Sequence, residues 1–244
     1  MRVLVYNIHA GKDADGADNL ERVAALIAET AADLVLLQEV DRGTMRSGGV
    51  DQLAELERRT GLHGAFGRTL DYQGGEYGIA VLSRWPIRSD TLIALPVEPA
   101  QERAGGSYEP RGALRVVVAR PGGDVAVVNT HLDASGDDHY RRQEVESVRR
   151  IAASLRASDA LSVVGGDFNA EPGTPTIRTM LGDGWRDAWS ECGSGEALTY
   201  PAAAPLKRID YLFIPDGAGC TAARALETTT SDHRPVLVTV VGHH

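Results

Sequence analysis

The sequence predicts an α+β fold in which two mixed β-sheets pack face to face, flanked by helices. Short apolar strands alternate with helical patterns along the whole chain, with no linker and no internal repeat. A tight hairpin turning at Pro121-Gly122-Gly123 interrupts any regular strand–helix–strand wheel. The longest purely aliphatic runs, such as Leu34 to Leu37, fall far short of the ~20 residues of a membrane-spanning helix. With 244 residues, 43% hydrophobic and 24% charged, the chain suits one domain over residues 1–242 whose core needs no disulfide. His243-His244 reads as a tail or a tag remnant.

Residues 2–6 form a first, β-branched strand. After a Gly/Asp-rich loop, Leu20, Val23, Ala24 and Ile27 recur at helical spacing, with Asp18 placed as the N-cap and Glu21 three residues on. Residues 34–40 are the next strand, and residues 50–60 a second helix stopped by Gly61. The middle is strand-rich, at 78–83, 113–119 and 124–132, followed by a helix over about 138–157 and a strand at 161–164. Two last strands fall at 209–214 and 236–241. Residues 95–110 carry Pro, Glu and Gly without periodicity and read as a surface loop.

Net charge is −9, and Lys12 and Lys207 are the only lysines. That balance argues against non-specific duplex DNA binding, which needs a basic surface that releases counterions. Arg141, Arg142, Arg149 and Arg150 share one helix, but Glu144 and Glu146 lie among them, which reads as a solvated face. Cys192 and Cys220 match neither a metal-ligand spacing nor a disulfide framework, and no apolar leader opens the chain. The expectation is a reduced, cytoplasmic protein without a membrane span.

Polar residues interrupt the strands in a pattern. The first strand runs into Asn7 and His9, the second into Gln38-Glu39, and the hairpin into Asn129-Thr130-His131. Residues 161–164 run into Gly165-Gly166-Asp167-Phe168-Asn169; Arg208-Ile209-Asp210 opens one late strand and Ser231-Asp232-His233 precedes the other. Singly, each has a plain explanation: Asp-x-Asn as an Asx-turn, a lone His as a structural residue. Ser231-Asp232-His233 is no serine triad, because adjacent strand residues face opposite ways. Asp13, Asp15 and Asp18 lack the ligand order of a calcium loop and read as a turn into a helix cap. Together, the strand ends can converge on a single mouth.

In this order, Asn7, Leu37-Gln38-Glu39-Val40, Tyr77-Gly78-Ile79-Ala80-Val81-Leu82-Ser83, Asn129-Thr130-His131-Leu132, Gly166-Asp167-Phe168-Asn169, Arg208-Ile209-Asp210-Tyr211 and Ser231-Asp232-His233-Arg234-Pro235 resemble the endonuclease/exonuclease/phosphatase superfamily. These are deoxyribonuclease I-like, metal-dependent phosphoesterases. The resemblance spans about residues 2–240 and implies a four-layer α/β/β/α sandwich with its site at one edge. It implies Glu39 as the main ligand of Mg²⁺, or Mn²⁺ in its place, aided by Asn7 and Asp232 directly or through water. Hard oxygen donors suit those ions. Asp167 would take a proton from, or orient, the attacking water, and Asn169 would hold that water or a phosphate oxygen. His233, partnered by Asp210, and His131, with Glu76 as its candidate partner, would meet the phosphate, as would Arg111. Where some members carry a carboxylate two residues after the first Asn, this chain has His9, read as a supporting residue near the substrate; the missing carboxylate weighs against a two-metal arrangement, and the number of metals is left open.

The expected activity is hydrolysis of a phosphoester, mono- or diester, in a small, lipid-derived or nucleotide substrate. The alternative is a nuclease on DNA or RNA, disfavoured by the acidic charge and the 5% aromatic content. A binding module that kept only the fold would be expected to lose some of these acid/base groups. Loops at 43–50, 95–110 and 199–205 would shape the pocket, with Arg46, Ser47 and Tyr108 as candidate substrate contacts. Oligomeric state is not legible.

Overall fold

Alternation along the strands decides the layers. In β1 (Arg2–Asn7), Val3 and Val5 enter one buried cluster while Leu4 and Tyr6 enter another. Both faces are therefore covered, and the strand reads as a continuous apolar run. The computed structural model describes residues 1–100, 109–155 and 160–242. One six-stranded sheet runs, edge to edge, β11 (Ala218–Ala225), β12 (Val236–Gly242), β1, β2 (Leu34–Arg42), β4 (Gly75–Ser83) and β3 (His63–Tyr72). The other runs β5 (Ile87–Ala94), β6 (Gly112–Val118), β7 (Val125–His131), β8 (Leu161–Asp167), β10 (Asp210–Pro215) and β9 (Trp185–Asp187). The pairs β1–β2 and β7–β8 are parallel and the rest antiparallel, so both sheets are mixed.

Val3, Val5, Leu36 and Val81 meet Leu114, Val127, Val163 and Leu212 between the sheets. Helices α1 (Leu20–Thr30) and α2 (Gln52–Thr60) cover the outer face of the first sheet through Val23, Ile27, Leu53 and Leu56. Helices α3 (His139–Leu155) and α4 (Pro175–Met180) cover the second through Val145, Val148, Ile177 and Met180. This is the expected sandwich. A parallel pair needs a crossover, and α1 and α3 supply one for each sheet. Each crossover returns the chain to the starting edge, so β1, β2, β7 and β8 all end at the same edge.

Several local expectations change. Strands β3 and β5 escape the sequence reading because they are edge strands, β5 mostly exposed and β3 with few buried positions, and neither shows a long apolar run or clean alternation. Helix α1 takes Asn19, not Asp18, at its cap position; Asn19 Nδ2 donates to Thr230 O at 2.9 Å, and Asp18 pairs with Lys12. The α3 arginines are not a uniformly solvated face. Arg141 and Glu144 are buried, with Arg141 donating to the carbonyls of Asp133 and Ser135 and Glu144 accepting from Asp133 N–H. Cys192, ending α5 (Ala188–Cys192), and Cys220 in β11 form a disulfide, which corrects the reading of two free thiols. A 28-residue separation carries no pairing signal, whereas the fold brings the two Cα atoms to 5.9 Å. No helix among the described residues is long and apolar enough to cross a membrane. His243 and His244 lie outside the described residues.

Candidate active site

The shared strand edge opens into a cleft of about 1150 Å³ lined by Glu39, His131, Asp167, Asn169, Asp232 and His233. Local backbone departures put these side chains there. The β2–β4 register slips between Leu37 and Val40, and Glu39 sits in that bulge at φ 56°. Asn169 follows β8 at φ 47°. Left-handed non-glycine residues cost on the order of 1–3 kcal/mol and cluster at sites where geometry is held by the surroundings. Gly166, before Asp167, has φ 142°, and a Cβ there would lie 1.9 Å from Thr130 O, so only glycine lets β8 approach β7.

The floor is one network. Asn7, fully buried, accepts His9 N–H on Oδ1 at 3.0 Å. That turns its Nδ2 toward the acids, where it donates to Glu39 Oε1 and to Asp167 Oδ2, each at 3.1 Å. Asp167 Oδ1 accepts from Asn169 N–H at 2.9 Å, and Asn169 Nδ2 donates to Leu132 O. Facing Asp167 Oδ2 are the Nε2 atoms of His131 at 3.6 Å and His233 at 3.7 Å. His233 Nδ1 meets Asp210 Oδ2 at 2.9 Å, and the Tyr200 ring lies against the imidazole at 4.8 Å between centroids. Behind this floor Gln38 Nε2 donates to Asn129 Oδ1 at 2.7 Å, while Asn129 Nδ2 donates to the carbonyls of Leu37 and Ala80. These buried bonds tie the two sheets together directly beneath the site.

Electrostatics follow from burial and crowded acids. Burial, then the charge of Asp210, pushes Asp167 up to about 7, against the pull of His233, Asn169 N–H and Asn7. Burial alone would push His233 down, but Asp210 and Asp167 outweigh it and hold the imidazolium up to about 10. Asp167, Asp210 and His233 each offer an atom within 4.8 Å of the others, a spacing that also suits a metal ion. An imidazolium bound to Asp210 through Nδ1 has no lone pair to give, and Glu39 is a nearby carboxylate that could serve as a hard-oxygen ligand. Beyond the bond from Asn7, Glu39 has no hydrogen-bond donor among the described residues. Eight carboxylates line the cleft against Arg46, Arg111, Arg141, Lys207 and His233, a charge excess that a divalent ion would offset.

The expected residues Asn7, Glu39, His131, Asp167, Asn169, Asp210, Asp232 and His233 are therefore gathered in one place. His9 stands at the margin, Nδ1 3.8 Å from Asp232 Oδ1. Two expected contacts differ. Glu76 pairs with Arg42, and more distantly with Arg68, instead of with His131. Arg111 is buried and donates to Glu109 and, at 3.1 Å, to His131 Nδ1. Arg46 lines the cleft in a two-pronged bond to Asp41, at 2.7 Å on each prong, and its guanidinium lies near the Tyr72 and Tyr77 rings. Ser47 instead bonds Thr44, and Tyr108 falls outside the described residues. The sequence reading missed Glu109, Tyr200 and the Gln38–Asn129 bond. Glu109 and Tyr200 had one signal, their places in the 95–110 and 199–205 loops.

Comparison with known proteins agrees with this fold. A profile described as the Endonuclease/Exonuclease/phosphatase family matches residues 4–233. The uncharacterized protein YbhP of Escherichia coli K12 is 26% identical over 247 residues, covering 96% of this chain and 94% of that one. A crystal structure described as an endonuclease/exonuclease/phosphatase from Beutenbergia cavernae superposes with TM-score 0.79 at 26% identity, over 99% of this chain and 72% of that one. A mannosyl-6-phosphatase of Bacteroides thetaiotaomicron shares the fold with TM-score 0.81 at 18% identity, over 99% of each chain.

Proposed function

This chain belongs to the Endonuclease/Exonuclease/phosphatase family, and from that premise we propose that it is a divalent-metal-dependent hydrolase of phosphoesters in small, lipid-derived or nucleotide substrates. The observation that carries the reading is the convergence of Asn7, His131 and His233 on one oxygen of Asp167, with Glu39 sharing the Asn7 amide. Acid, base and anion donors then face a single reacting centre. A divalent cation, Mg²⁺ or Mn²⁺, would be held by Glu39 with Asp232 and, when bound, supplies positive charge to phosphate oxygens. Asn7 orients Glu39 and Asp167, since its amide oxygen is engaged by His9 N–H.

Asp167 accepts a proton from the attacking water as the new O–P bond forms. The bond from phosphorus to the leaving oxygen breaks, and His233 Nε2–H returns a proton to that oxygen. His131 and Asn169 hold the non-bridging oxygens or the water. Acidic residues along the cleft, among them Asp71, Asp137, Asp138 and Glu171, disfavour a long polyanion such as nucleic acid.

Chelated protein assayed with bis-p-nitrophenyl phosphate, p-nitrophenyl phosphate, plasmid DNA, sphingomyelin and inositol phosphates tests this. Turnover should vanish with EDTA, return with Mg²⁺ or Mn²⁺, and favour a small or lipid ester over DNA. Full activity after exhaustive chelation would remove the metal from the reading. Hydrolysis of none of these substrates would remove the activity itself.

A further inference from the structure

One flank of the cleft carries chemistry that the hydrolysis does not use. Arg46, Leu70, Asp71, Tyr72 and Tyr77 line it. Arg46 is fixed there more firmly than a surface arginine. Asp41, fully buried, takes its Nε and Nη2 on separate oxygens at 2.7 Å each, and Thr44 Oγ1 braces Oδ2 of the same carboxylate. The backbone N–H of Arg46 donates to Gln73 Oε1 at 2.9 Å, and Gln73 Nε2 donates to the Tyr72 hydroxyl. The guanidinium then lies 4.9 Å from the Tyr72 ring centre and 5.2 Å from that of Tyr77. Its Nη1 has no acceptor among the described residues. Burial and then the charge of Glu39 push the Tyr77 phenol up, while Arg111 and Arg46 draw it down, so this ring is close to both the guanidinium and the reacting centre.

Charge decides what such a flank binds. The arginines of this flank and of its supporting strands are already matched: Arg46 by Asp41, Arg68 by Asp71 at 2.6 Å, and Arg42 by Glu76. A second phosphate would find no surplus positive charge here and would stand beside the exposed Asp71 carboxylate. A neutral group bearing hydroxyls finds a rigid, planar donor in Nη1, an acceptor in Asp71 and aromatic rings alongside. Fixed polar groups on an aromatic wall are what orient small ligands. We infer that Arg46, held by Asp41, is a specificity-determining residue whose Nη1 donates to a hydroxyl of the substrate's non-phosphate part. The cleft then prefers a polyol or sugar-ring monophosphate to a bisphosphate or to a hydroxyl-free ester. This narrows the phosphoesterase reading and rests on it for the position of the phosphate.

The test is isothermal titration of the Asp167→Asn protein, with Mg²⁺ present, so that binding is read without turnover. Two pairs of probes are compared: glucose 6-phosphate against cyclohexylmethyl phosphate, which keeps the ring and loses the hydroxyls, and fructose 1,6-bisphosphate against fructose 6-phosphate. Glucose 6-phosphate should bind about 10- to 100-fold tighter than its hydroxyl-free partner, the scale of a hydrogen bond to a charged group. The bisphosphate should bind no tighter than the monophosphate. Arg46→Met should remove most of the hydroxyl preference, and Arg46→Lys, which keeps the charge and loses the planar fork, should not restore it. If Arg46→Met fails to fold because Asp41 is left unpaired, the double variant Asp41→Asn/Arg46→Met removes both charges and gives the same reading. Asp41→Asn alone should release the charge of Arg46 and turn the preference toward the bisphosphate. Equal binding of the two ring esters while Arg46 is intact, a bisphosphate preference there, or full rescue by lysine would each overturn the proposal. Arg46-dependent binding of the sugar phosphate, with no phosphoester hydrolysed by the parent protein, would remove the phosphoesterase reading and leave the subsite standing. Turnover with no preference for hydroxyls would do the opposite.

Discussion

The two ends of the sandwich are built to opposite rules. At the end where β1, β2, β7 and β8 finish, Glu39 and Asn169 sit at left-handed φ, and buried acids crowd around Asp167. At the other end, where β12 finishes and β11 begins, Cys192 and Cys220 join α5 to the edge strand and pack against the core between the sheets. Strain and uncompensated charge are concentrated at one end, covalent and apolar stabilisation at the other. Active sites commonly trade stability for function in this way. The far end and the core between the sheets hold the geometry that the cleft requires.

Substitution at the cleft should break activity and spare the fold. Asp167→Asn is expected to lower turnover about 10³-fold, the usual scale for losing a general base. Its melting temperature should be equal to or above that of the parent, because the change removes a buried charge held beside Asp210. Glu39→Ala should behave similarly and, in addition, weaken the response to Mg²⁺. An Asp167→Asn protein that keeps parental turnover would take the base role from Asp167, and one that melts far lower would show that the residue serves the fold.

The far end should show the reverse. Reducing the Cys192–Cys220 bond, or replacing both cysteines with serine, opens a 28-residue loop and should cost about 3.5 kcal/mol on the chain-entropy estimate. Below the melting transition, kcat should stay at the parental value. Paired denaturation and rate measurements, with and without reductant, check both halves. A fall in kcat at unchanged folded fraction would mean the ends are coupled.

How much of this was legible depended on whether function and local sequence coincide. Asn7, Glu39, His131, Asp167, Asp210 and His233 stood out because polar groups at the ends of apolar strands are conspicuous, and the parallel crossovers bring those ends together. What the sequence concealed was set by partners distant along the chain. The bulge at Glu39 is a matter of register against β4, and the Gln38–Asn129 bond joins residues 91 apart. Glu76 was implied as a partner for His131 by the family resemblance alone, and strand pairing places it opposite Arg42. The polar edge strands β3 and β5 and the cysteine pair carried no periodic signal at all.

A smaller effect sharpens the contrast through proton linkage in the chelated protein. His233 is raised in the fold from an ordinary 6.5 to about 10, so its contribution to stability is complete below about pH 6.5 and is lost as pH climbs through 10. Asp167 is raised from 3.8 to about 7, so the folded state also favours its protonated form, and that contribution is lost between about pH 4 and 7. Both act in one direction: metal-free protein should melt progressively lower as pH rises from 5 to 10. Each kcal/mol lost is worth roughly 2–4 °C in a chain of this size. Asp210→Asn removes the carboxylate that holds the imidazolium and should flatten the curve above pH 7, whereas replacing Cys192 and Cys220 with serine, which adds no titrating thiol, should lower the whole curve without changing its slope. Calorimetry across that range separates the two; a slope change in the serine variant would place titrating groups at the far end as well.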